Sequence, residues 1–379
     1  MVKPPASLFR RGLLALPWLA GMPLALGPAP ADALEPRKLR FPRDFGAHPE
    51  LRTEWWYITG HASAGAREFG LQVTFFRSRV DEAQALKSRF AARQLIFAHA
   101  AVTDLQGARL WHDQRIAREG FGIATAGIED TDLRLRDWTL ARTGPVDASR
   151  YAARVRAQDF TLDLRFEATQ PLLLQGRDGL SRKGPERSQA SYYYSQPQLR
   201  TGGQLLLRGE RFEVQGTAWL DHEVSEALLH PQAVGWDWIG MNLFDGSALT
   251  AFRLRRADGS ALWDGGSFRS TPATGSSLYI AAPGENEFRP LRLWKSPLSQ
   301  AVYPVEWRVR TPADFYTVRA LLDAQELDSR QSTGAIYWEG LSDLHDSNGR
   351  HVGRGYLEMT GYAGALRMSG LPPTLAPHA

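Results

Sequence analysis

Hydrophobic and polar residues alternate with a period of two along much of this chain. Every second residue of Phe160–Phe166 is apolar, and the alternation recurs in Phe69–Phe75 and Trp307–Arg310. Asp258-Gly259 and Asn348-Gly349, which stand between strand-like runs, are strong signals for tight hairpin turns. Because successive residues of a strand point to opposite faces, the pattern predicts antiparallel sheets with one buried and one solvated face.

Helical patterns are rare in the same sequence. Two short stretches, Asp81 to Phe97 and Asp221 to Leu229, have a helix-like pattern, and no repeat of about 20–50 residues is visible. The 35 Gly, 23 Pro and 11% aromatic residues favour many short strands joined by turns. We therefore predict an all-β protein with few short helices.

A chain of 379 residues is long enough for two domains with sizeable cores. Hydrophobicity falls between residues 176 and 203, and we place the boundary just after this stretch. The predicted units are a first domain at 34–215, a second at 216–366, and a tail at 367–379. Two closed or nearly closed barrels would protect the strand edges and could enclose a ligand. A pair of β-sandwiches is the alternative, and strand spacing alone does not separate the two.

The first residues have the three-part pattern of a secretory signal. Lys3, Arg10 and Arg11 precede an apolar run at Gly12–Leu26, and Ala31-Asp32-Ala33 supplies small residues around a cleavage point. We predict a signal peptide at 1–33, cut after Ala33, and a periplasmic or secreted product. An uncleaved anchor is the alternative, and the adjacent arginines also fit twin-arginine export.

Net charge and cysteine content limit the classes of partner and of chemistry that fit this chain. Removal of residues 1–33 takes three of 45 basic and one of 41 acidic residues, which leaves a net charge of +2. So small a charge provides no broad basic surface for nucleic acid or for an anionic membrane, and any membrane contact after signal cleavage would not be integral. Zero cysteines exclude disulfides, thiol catalysis and thiolate metal sites. The nine histidines show no ligand-like spacing, so we expect neither a metal nor another cofactor.

The first aromatic–acidic cluster is Glu54-Trp55-Trp56-Tyr57. On a strand, Trp55 and Trp56 face opposite sides, so one can line an interior while the other meets a second layer. Glu54 beside two indoles is costly to bury unless it is paired, so we expect an arginine or hydroxyl partner. Two interpretations remain: Glu54, Trp55 and Trp56 bind a ligand, or they plug a domain interface.

A second cluster contains three acids, one histidine and three tryptophans, which are Trp219, Asp221, His222, Glu223, Trp236, Asp237 and Trp238. On strands, Asp221 and Glu223 share one face and His222 takes the other, while Asp237 faces opposite to its two tryptophan neighbours. Burial among indoles would raise the pKa of a carboxyl group and keep it a proton donor near neutrality. The alternative for His222 is a hydrogen-bonded structural residue.

The third cluster joins Tyr337-Trp338-Glu339-Gly340 to the strand-like segment Gly355–Tyr362. Alternation places Tyr356, Glu358 and Thr360 on one face of this second segment. The segment is either a cavity wall or a barrel-closing strand, and we favour the closing strand. Tyr356 is retained as a ligand-binding candidate.

Motifs spread over residues 45–362 resemble those of secreted AttH-like proteins related to carotenoid 1,2-hydratase, a group also labelled as secreted hydrolases. The matching segments are Glu54-Trp55-Trp56-Tyr57 with Gly60-His61, Gln72–Arg77, Ala98–Asp104, Leu174-Gln175-Gly176, Trp219–Glu223, Gly235–Trp238, Gln325-Glu326-Leu327, Tyr337–Gly340 and Gly355–Glu358. The resemblance implies two consecutive lipocalin-like barrels. Its relatives include hydratases, lipocalin-like pericyclases and exported proteins encoded beside ABC-type exporters, and this chain looks most similar to the exported branch.

The leading hypothesis is an exported protein that binds an apolar isoprenoid or lipid-like molecule and, if it is an enzyme, acts as a hydro-lyase on a C=C bond. Asp237, or second Asp221, would protonate the alkene, Trp236 and Trp238 would stabilise the carbocation, and His222 would orient water. Trp219 would help to line the site. The alternatives are a non-catalytic periplasmic carrier that serves an ABC-type exporter and, on the family label alone, a hydrolase.

Overall fold

The alternating pattern forms two large antiparallel sheets in the computed structural model, which describes residues 33–227, 229–271 and 275–366. The tail predicted at 367–379 and all of the predicted signal peptide except Ala33 lie outside these residues. The all-β prediction is therefore confirmed over the described chain.

The first sheet follows the order β4-β3-β2-β1-β13-β12-β9-β8-β7-β6-β5, and β10 and β11 pair with β12. Its strands are β1 Thr53–Ala64, β2 Arg67–Arg79, β3 Gln94–Asp104, β4 Arg109–Arg118, β5 Ala124–Ala126, β6 Asp132–Leu135, β7 Trp138–Thr143, β8 Arg150–Arg156, β9 Phe160–Glu167, β10 Leu173–Leu174, β11 Leu180–Arg182, β12 Ala190–Leu207 and β13 Glu210–Ser225. The sheet curls until β3 and β4 approach β5 and β6, which makes a nearly closed barrel.

The second sheet has the order β17-β16-β15-β14-β23-β22-β20-β19-β18, and β21 pairs with β22. Its strands are β14 Gly235–Leu243, β15 Ala248–Arg255, β16 Ala261–Arg269, β17 Leu278–Ala281, β18 Glu287–Lys295, β19 Val302–Arg310, β20 Phe315–Ala320, β21 Glu326–Ser329, β22 Ala335–His345 and β23 His351–Met359. The chain changes sheets between Ser225 and Gly235, whereas the domain boundary predicted at 215/216 falls inside β13.

Each sheet encloses its own apolar core. Trp56, Phe75 and Trp138 are completely buried inside the first sheet, and Met241 and Trp338 inside the second. These residues lie on the apolar face of each alternating strand. The two cores explain why both runs of strands fold as curved sheets.

A third core joins the outer faces of the two sheets. Tyr57 and Trp219 of the first sheet pack with Trp238, Phe252 and Tyr356 of the second. The described residues consequently form one compact unit. The two sheets share a buried interface and are not structurally independent domains.

Buried polar contacts cross the same interface. Nε2 of Gln72 on β2 donates to Oε2 of Glu339 on β22 at 2.8 Å. The Thr103 hydroxyl donates to Oε1 of Gln325 at 2.9 Å. Because an unpaired buried polar group is costly, these bonds fix the register of one sheet on the other.

The two helical predictions are wrong. The structure has a single turn of helix, α1 Asp81–Gln84, where a helix to Phe97 was predicted, and β3 begins at Gln94. The segment predicted to be helical from Asp221 to Leu229 begins in β13, which ends at Ser225 and lies between β1 and β12. Pairing on both sides satisfies the β13 backbone and overrides local propensity.

Over the described residues, the other helical elements are two single-turn 3₁₀ helices, Arg43–Phe45 and Val146–Ala148. Within the described ranges, no helix has the length and apolar character needed to span a bilayer.

Candidate functional site

A cavity of about 190 Å³ lies between the outer faces of the two sheets. Its apolar wall includes Trp55, Phe76, Leu95, Phe97, Ile116, Trp236, Trp238, Phe252 and Leu254, and its polar wall includes His99, Lys183, Tyr193, Asp221, Glu223, Tyr337, Glu339 and Glu358. Strands β1, β2, β3, β4, β12 and β13 supply one side, and β14, β15, β22 and β23 supply the other. This cavity thus lies between the two sheets, whereas the sequence suggested the interior of a barrel as a place that could enclose a ligand.

Strand alternation decides which side chains reach this cavity. On β1, Trp55 and Tyr57 point outward to the cavity, while Glu54 and Trp56 point into the first barrel. On β13, Asp221 and Glu223 line the cavity and His222 points inward. The predicted opposition of neighbouring side chains is confirmed at both strands.

Asp221 is buried at the base of the cavity and accepts three hydrogen bonds. The Tyr193 hydroxyl donates to Oδ2 at 2.8 Å, and the Trp219 indole donates to Oδ1 at 2.8 Å. The third donor is the hydroxyl of Ser195. Burial nevertheless raises the pKa of Asp221 to about 7, because these donors offset only part of the desolvation and the charge of Glu223 adds to it.

Glu358 and Glu339 extend the row of carboxyl groups across the second sheet. Burial raises the pKa of Glu358 to about 8, with the charges of Asp221 and Glu223 adding to the effect. Burial followed by the charge of Glu358 raises the pKa of Glu339 well above its usual range. Glu358 is partly exposed to the cavity, whereas Glu339 is buried. Glu358 is thus a protonated acid at neutral pH with access to a ligand.

Lys183 supplies the positive charge of the polar wall. Its ammonium lies 2.8 Å from Oε1 of Glu223, which also accepts a hydrogen bond from Ser191. The same ammonium stands 4.2 Å from the ring centre of Phe252. Lys183 therefore compensates Glu223, and it leaves Asp221 and Glu358 without a cation in hydrogen-bond contact among the described residues.

His99 and Ser332 form a pair at the other end of the cavity. Nε2 of His99 lies 2.8 Å from the Ser332 hydroxyl, and Nδ1 lies 2.8 Å from the Tyr337 hydroxyl. The Ser332 hydroxyl donates to Oε1 of Gln114 at 2.6 Å. Burial lowers the pKa of His99 to about 3, so the imidazole is neutral and weakly basic.

The inward faces of β1 and β13 carry a separate ionic network around Glu54. Its Oε2 accepts from Nε of Arg77 at 2.8 Å, and its Oε1 lies 2.8 Å from both Nδ1 of His48 and Nε2 of His222. Although burial opposes ionisation, the hydrogen bonds from both histidines hold the pKa of Glu54 well below its usual range. The predicted arginine partner of Glu54 is confirmed.

Among the described residues, this network brings possible metal-ligand atoms close together. One ligand atom each from His48, Glu54 and His222 lie within 4.8 Å of one another. All three residues are already engaged, since Nε2 of His48 pairs with Asp44 at 2.8 Å and Arg77 compensates Glu54. The three residues therefore already have hydrogen-bond and ion-pair partners within the protein.

Asp237 is buried and faces away from the cavity, toward the core that the second sheet encloses. Its Oδ2 accepts from Nε of Arg253 at 2.7 Å, and its Oδ1 accepts from the Tyr362 hydroxyl at 2.8 Å. Trp236 and Trp238 line the cavity on the other face of β14. The structure therefore does not bring Asp237 together with the tryptophans on which it was expected to act.

The sequence-predicted residues divide into three groups. The cavity is lined by Asp221, Trp55, Trp236 and Trp238. The core beside it contains Trp219 and Tyr356. The interiors enclosed by the two sheets receive Glu54, Trp56, His222 and Asp237. Glu358 and Glu339 were not selected as site residues, although alternation in the third cluster places Glu358 beside the cavity-lining Thr360. Their segment is a cavity wall, and not only the closing strand that we favoured.

The fold and the cavity together define a lipocalin-like protein of two large antiparallel sheets. The chain belongs to the AttH-like family, whose family model matches residues 32–362. A comparison with curated proteins gives no match.

Solved structures share the architecture. A candidate AttH from Nitrosomonas europaea is 46% identical, covers 88% of this chain and 99% of its own, and superposes with a TM-score of 0.80. Kievitone hydratase from Nectria haematococca is 14% identical, covers 86% and 94% of the two chains, and has a TM-score of 0.66. CghA with Sch210972 is 13% identical, covers 89% and 96%, and has a TM-score of 0.51. The last two are similar in fold alone.

Proposed function

We propose that this protein binds an apolar, isoprenoid-like alkene in the cavity between the sheets and hydrates it by acid catalysis. The observation that carries the proposal is the row of carboxyl groups with raised pKa values, Asp221, Glu358 and Glu339, on a wall that faces tryptophan and phenylalanine side chains. An acid that is protonated at neutral pH beside apolar walls suits proton transfer to a C=C bond. The fold shared with kievitone hydratase supports the same class of reaction.

The proposed reaction begins with Glu358. Its carboxyl proton adds to one alkene carbon, the π electrons form the new C–H bond, and the other carbon becomes a carbocation. The indole faces of Trp55, Trp236 and Trp238 stabilise this cation by cation–π attraction, about 2 kcal/mol or more in a desolvated site.

Water then completes the addition. Its oxygen forms a C–O bond with the cation, and Asp221 accepts the proton that the oxygen loses. A pKa of about 7 leaves Asp221 ionised in a large fraction of molecules near neutrality, as a proton acceptor requires. Return of the proton from Asp221 to Glu358 restores the starting state. This scheme changes Asp221 from the predicted second-choice proton donor to the proton acceptor, and it replaces Asp237 by Glu358 as the donor.

The test is incubation with geraniol and farnesol, two acyclic isoprenoid alcohols, in ¹⁸O-labelled water. We expect wild-type protein to incorporate one labelled oxygen, and the rate to fall as pH rises through about 8, because Glu358 then loses its proton. Glu358→Gln should lower the rate by about 10²–10⁴. Asp237→Asn is the matched control and should retain the wild-type rate if it remains folded.

The second candidate function is a non-catalytic carrier, exported through the pattern at residues 1–33 and serving an ABC-type exporter. The apolar end of the cavity, with Leu95, Phe97 and Ile116, favours it, because such a surface binds an apolar ligand without chemistry. Native mass spectrometry separates the two. An unchanged copurified ligand, together with no ¹⁸O incorporation in wild-type protein, would replace the hydratase proposal by the carrier.

Hydrolysis has one feature in its favour, the Ser332–His99 pair. In a nucleophilic site the histidine accepts the serine proton and is oriented by a carboxylate. His99 instead contacts the Tyr337 hydroxyl, and no described carboxylate forms an ion pair with it. A pKa of about 3 makes it a poor base at neutral pH. The geometry therefore favours hydration over hydrolysis.

A further inference from the structure

An exposed aromatic and basic surface borders the cavity at one end of the first sheet. We call this surface the rim and define it as residues Leu86–Arg93, which belong to the connection from β2 to β3, and Arg118–Ile123, which begin at the end of β4. Leu86, Phe90, Phe121 and Ile123 are respectively 52%, 63%, 47% and 43% exposed. Apolar side chains of this size, gathered in one place and left open to water, mark an interaction surface.

The rim is continuous with the cavity wall. Leu95 on β3 pairs with Arg118 on β4, and the next pair on the same face is Phe97 with Ile116. Leu95, Phe97 and Ile116 all line the cavity. Because cross-strand partners point to the same face, Arg118 extends that wall by one step toward the strand ends.

The rim has a fixed shape. The Phe90 and Phe121 rings stack with centres 5.5 Å apart and an interplanar angle of 5°. The Arg118 guanidinium lies 4.1 Å from the Phe121 ring centre and donates to the Phe90 carbonyl oxygen at 2.9 Å. Arg89 stands 5.4 Å from the Phe90 ring centre. Two exposed phenyl rings are thus held together beside two arginines.

The positive charge of the rim is uncompensated. Lys87, Arg89, Arg93 and Arg118 stand against the single acid Glu119. None of these four basic residues forms an ion pair with a carboxylate in the parts of the chain that the structure describes. Two arginines just outside the rim, Arg52 and Arg79, do pair with Asp81.

We propose that the rim docks this protein on an anionic lipid surface and opens the cavity toward the bilayer. Guanidinium groups recognise lipid phosphates, and phenyl rings enter the boundary between headgroups and acyl chains. A second copy of the chain is a less favourable partner than an anionic lipid surface, since two rims facing each other would bring their basic residues together. The inference rests on the proposed function only for the identity of the ligand that would enter from the bilayer, an apolar alkene that partitions into lipid.

The test uses ligand-free vesicles, so that docking is measured without turnover. Wild-type protein should sediment with vesicles of equal phosphatidylcholine and phosphatidylglycerol, remain in solution with phosphatidylcholine alone, and be released as salt rises from about 0.1 M to about 0.5 M. Arg89→Glu with Arg93→Glu should weaken binding by about tenfold or more. Phe90→Ser with Phe121→Ser should weaken it severalfold with no change in the melting temperature.

Two matched controls occur on the second sheet. Arg289→Glu with Arg308→Glu makes the same change in charge at exposed arginines that pair across β18 and β19. Leu293→Ser with Leu298→Ser removes side chains that are 60% and 55% exposed. Both controls should bind as wild type does.

Several outcomes would overturn the docking proposal. These are wild-type protein that stays in solution with anionic vesicles, rim variants that still bind, and controls that lose as much binding as the rim variants. Glu358→Gln should bind vesicles normally even though it loses turnover. Docking and hydration can therefore fail separately.

Discussion

At the scale of single residues, His48 connects the segment that precedes β1 to the interior of the first barrel. Burial disfavours its imidazolium form, but hydrogen bonds to Asp44 and Glu54 outweigh burial and raise the pKa of His48 to about 8. An unfolded histidine has a pKa near 6.5. His48 therefore contributes stability that is complete below about pH 6.5 and is lost as pH rises through about 8.

The expected size of this contribution is about 2 kcal/mol, since one pKa unit corresponds to about 1.4 kcal/mol. Urea unfolding of wild-type protein and His48→Gln at pH 6 and pH 9 measures it. The difference in unfolding free energy between the two proteins should shrink by about 2 kcal/mol at pH 9. His230→Gln, a change in the loop before β14, serves as the control. Parallel pH curves for wild type and His48→Gln would contradict the prediction.

At the scale of elements, Gly70 on β2 sits directly beneath the second sheet. A methyl group at this position would lie 2.7 Å from the Tyr356 hydroxyl and 3.1 Å from Cβ of Leu341. Both neighbours belong to the second sheet and are buried. Gly70→Ala should therefore push the sheets apart and lower the free energy of unfolding by about 1–3 kcal/mol.

Gly202→Ala in β12 is the matched control. A methyl group there would meet nothing closer than the Val214 carbonyl oxygen at 3.7 Å. This substitution should be neutral or slightly stabilising, because alanine restricts the unfolded chain. Equal unfolding midpoints in urea for the two alanine variants would show that the sheets do not press on each other at Gly70.

Strand alternation also explains how much could be predicted from the sequence. The period of two correctly separated Asp221 from His222 and Trp236 from Asp237. It could not say which face meets the cavity, because both faces of β1, of β14 and of the second half of β13 are largely covered by protein and lack a solvated polar pattern. Only the packing of one sheet on the other assigns the faces, and that packing is the reason why the proposed acid is Glu358 and not Asp237.

At the scale of the whole molecule, the core between the sheets predicts joint unfolding. Trp219 and Tyr57 bury their rings against Trp238 and Tyr356 across that core. Exposing it would leave neither sheet with its native outer face. Calorimetry should show one cooperative transition, and circular dichroism and tryptophan fluorescence should give the same midpoint.

Two substitutions test this coupling. Trp219→Ala removes a ring from the shared core, and Trp138→Ala removes one from the interior of the first barrel. Each substitution should lower the free energy of unfolding by about 3–5 kcal/mol and shift the single transition to lower temperature. A second calorimetric peak in wild-type protein or in Trp138→Ala would show that the sheets unfold separately.

The location of the cavity on the outer faces of the sheets has a consequence for ligand specificity. Phe76, Phe97 and Trp236 shape the cavity, while Trp56, Phe75 and Trp138 fill the first barrel. Different sets of side chains thus shape the cavity and fill the barrel, even where they are neighbours in sequence. A library that varies Phe76, Phe97 and Trp236 can change the shape of the cavity while the buried cores enclosed by the two sheets stay intact.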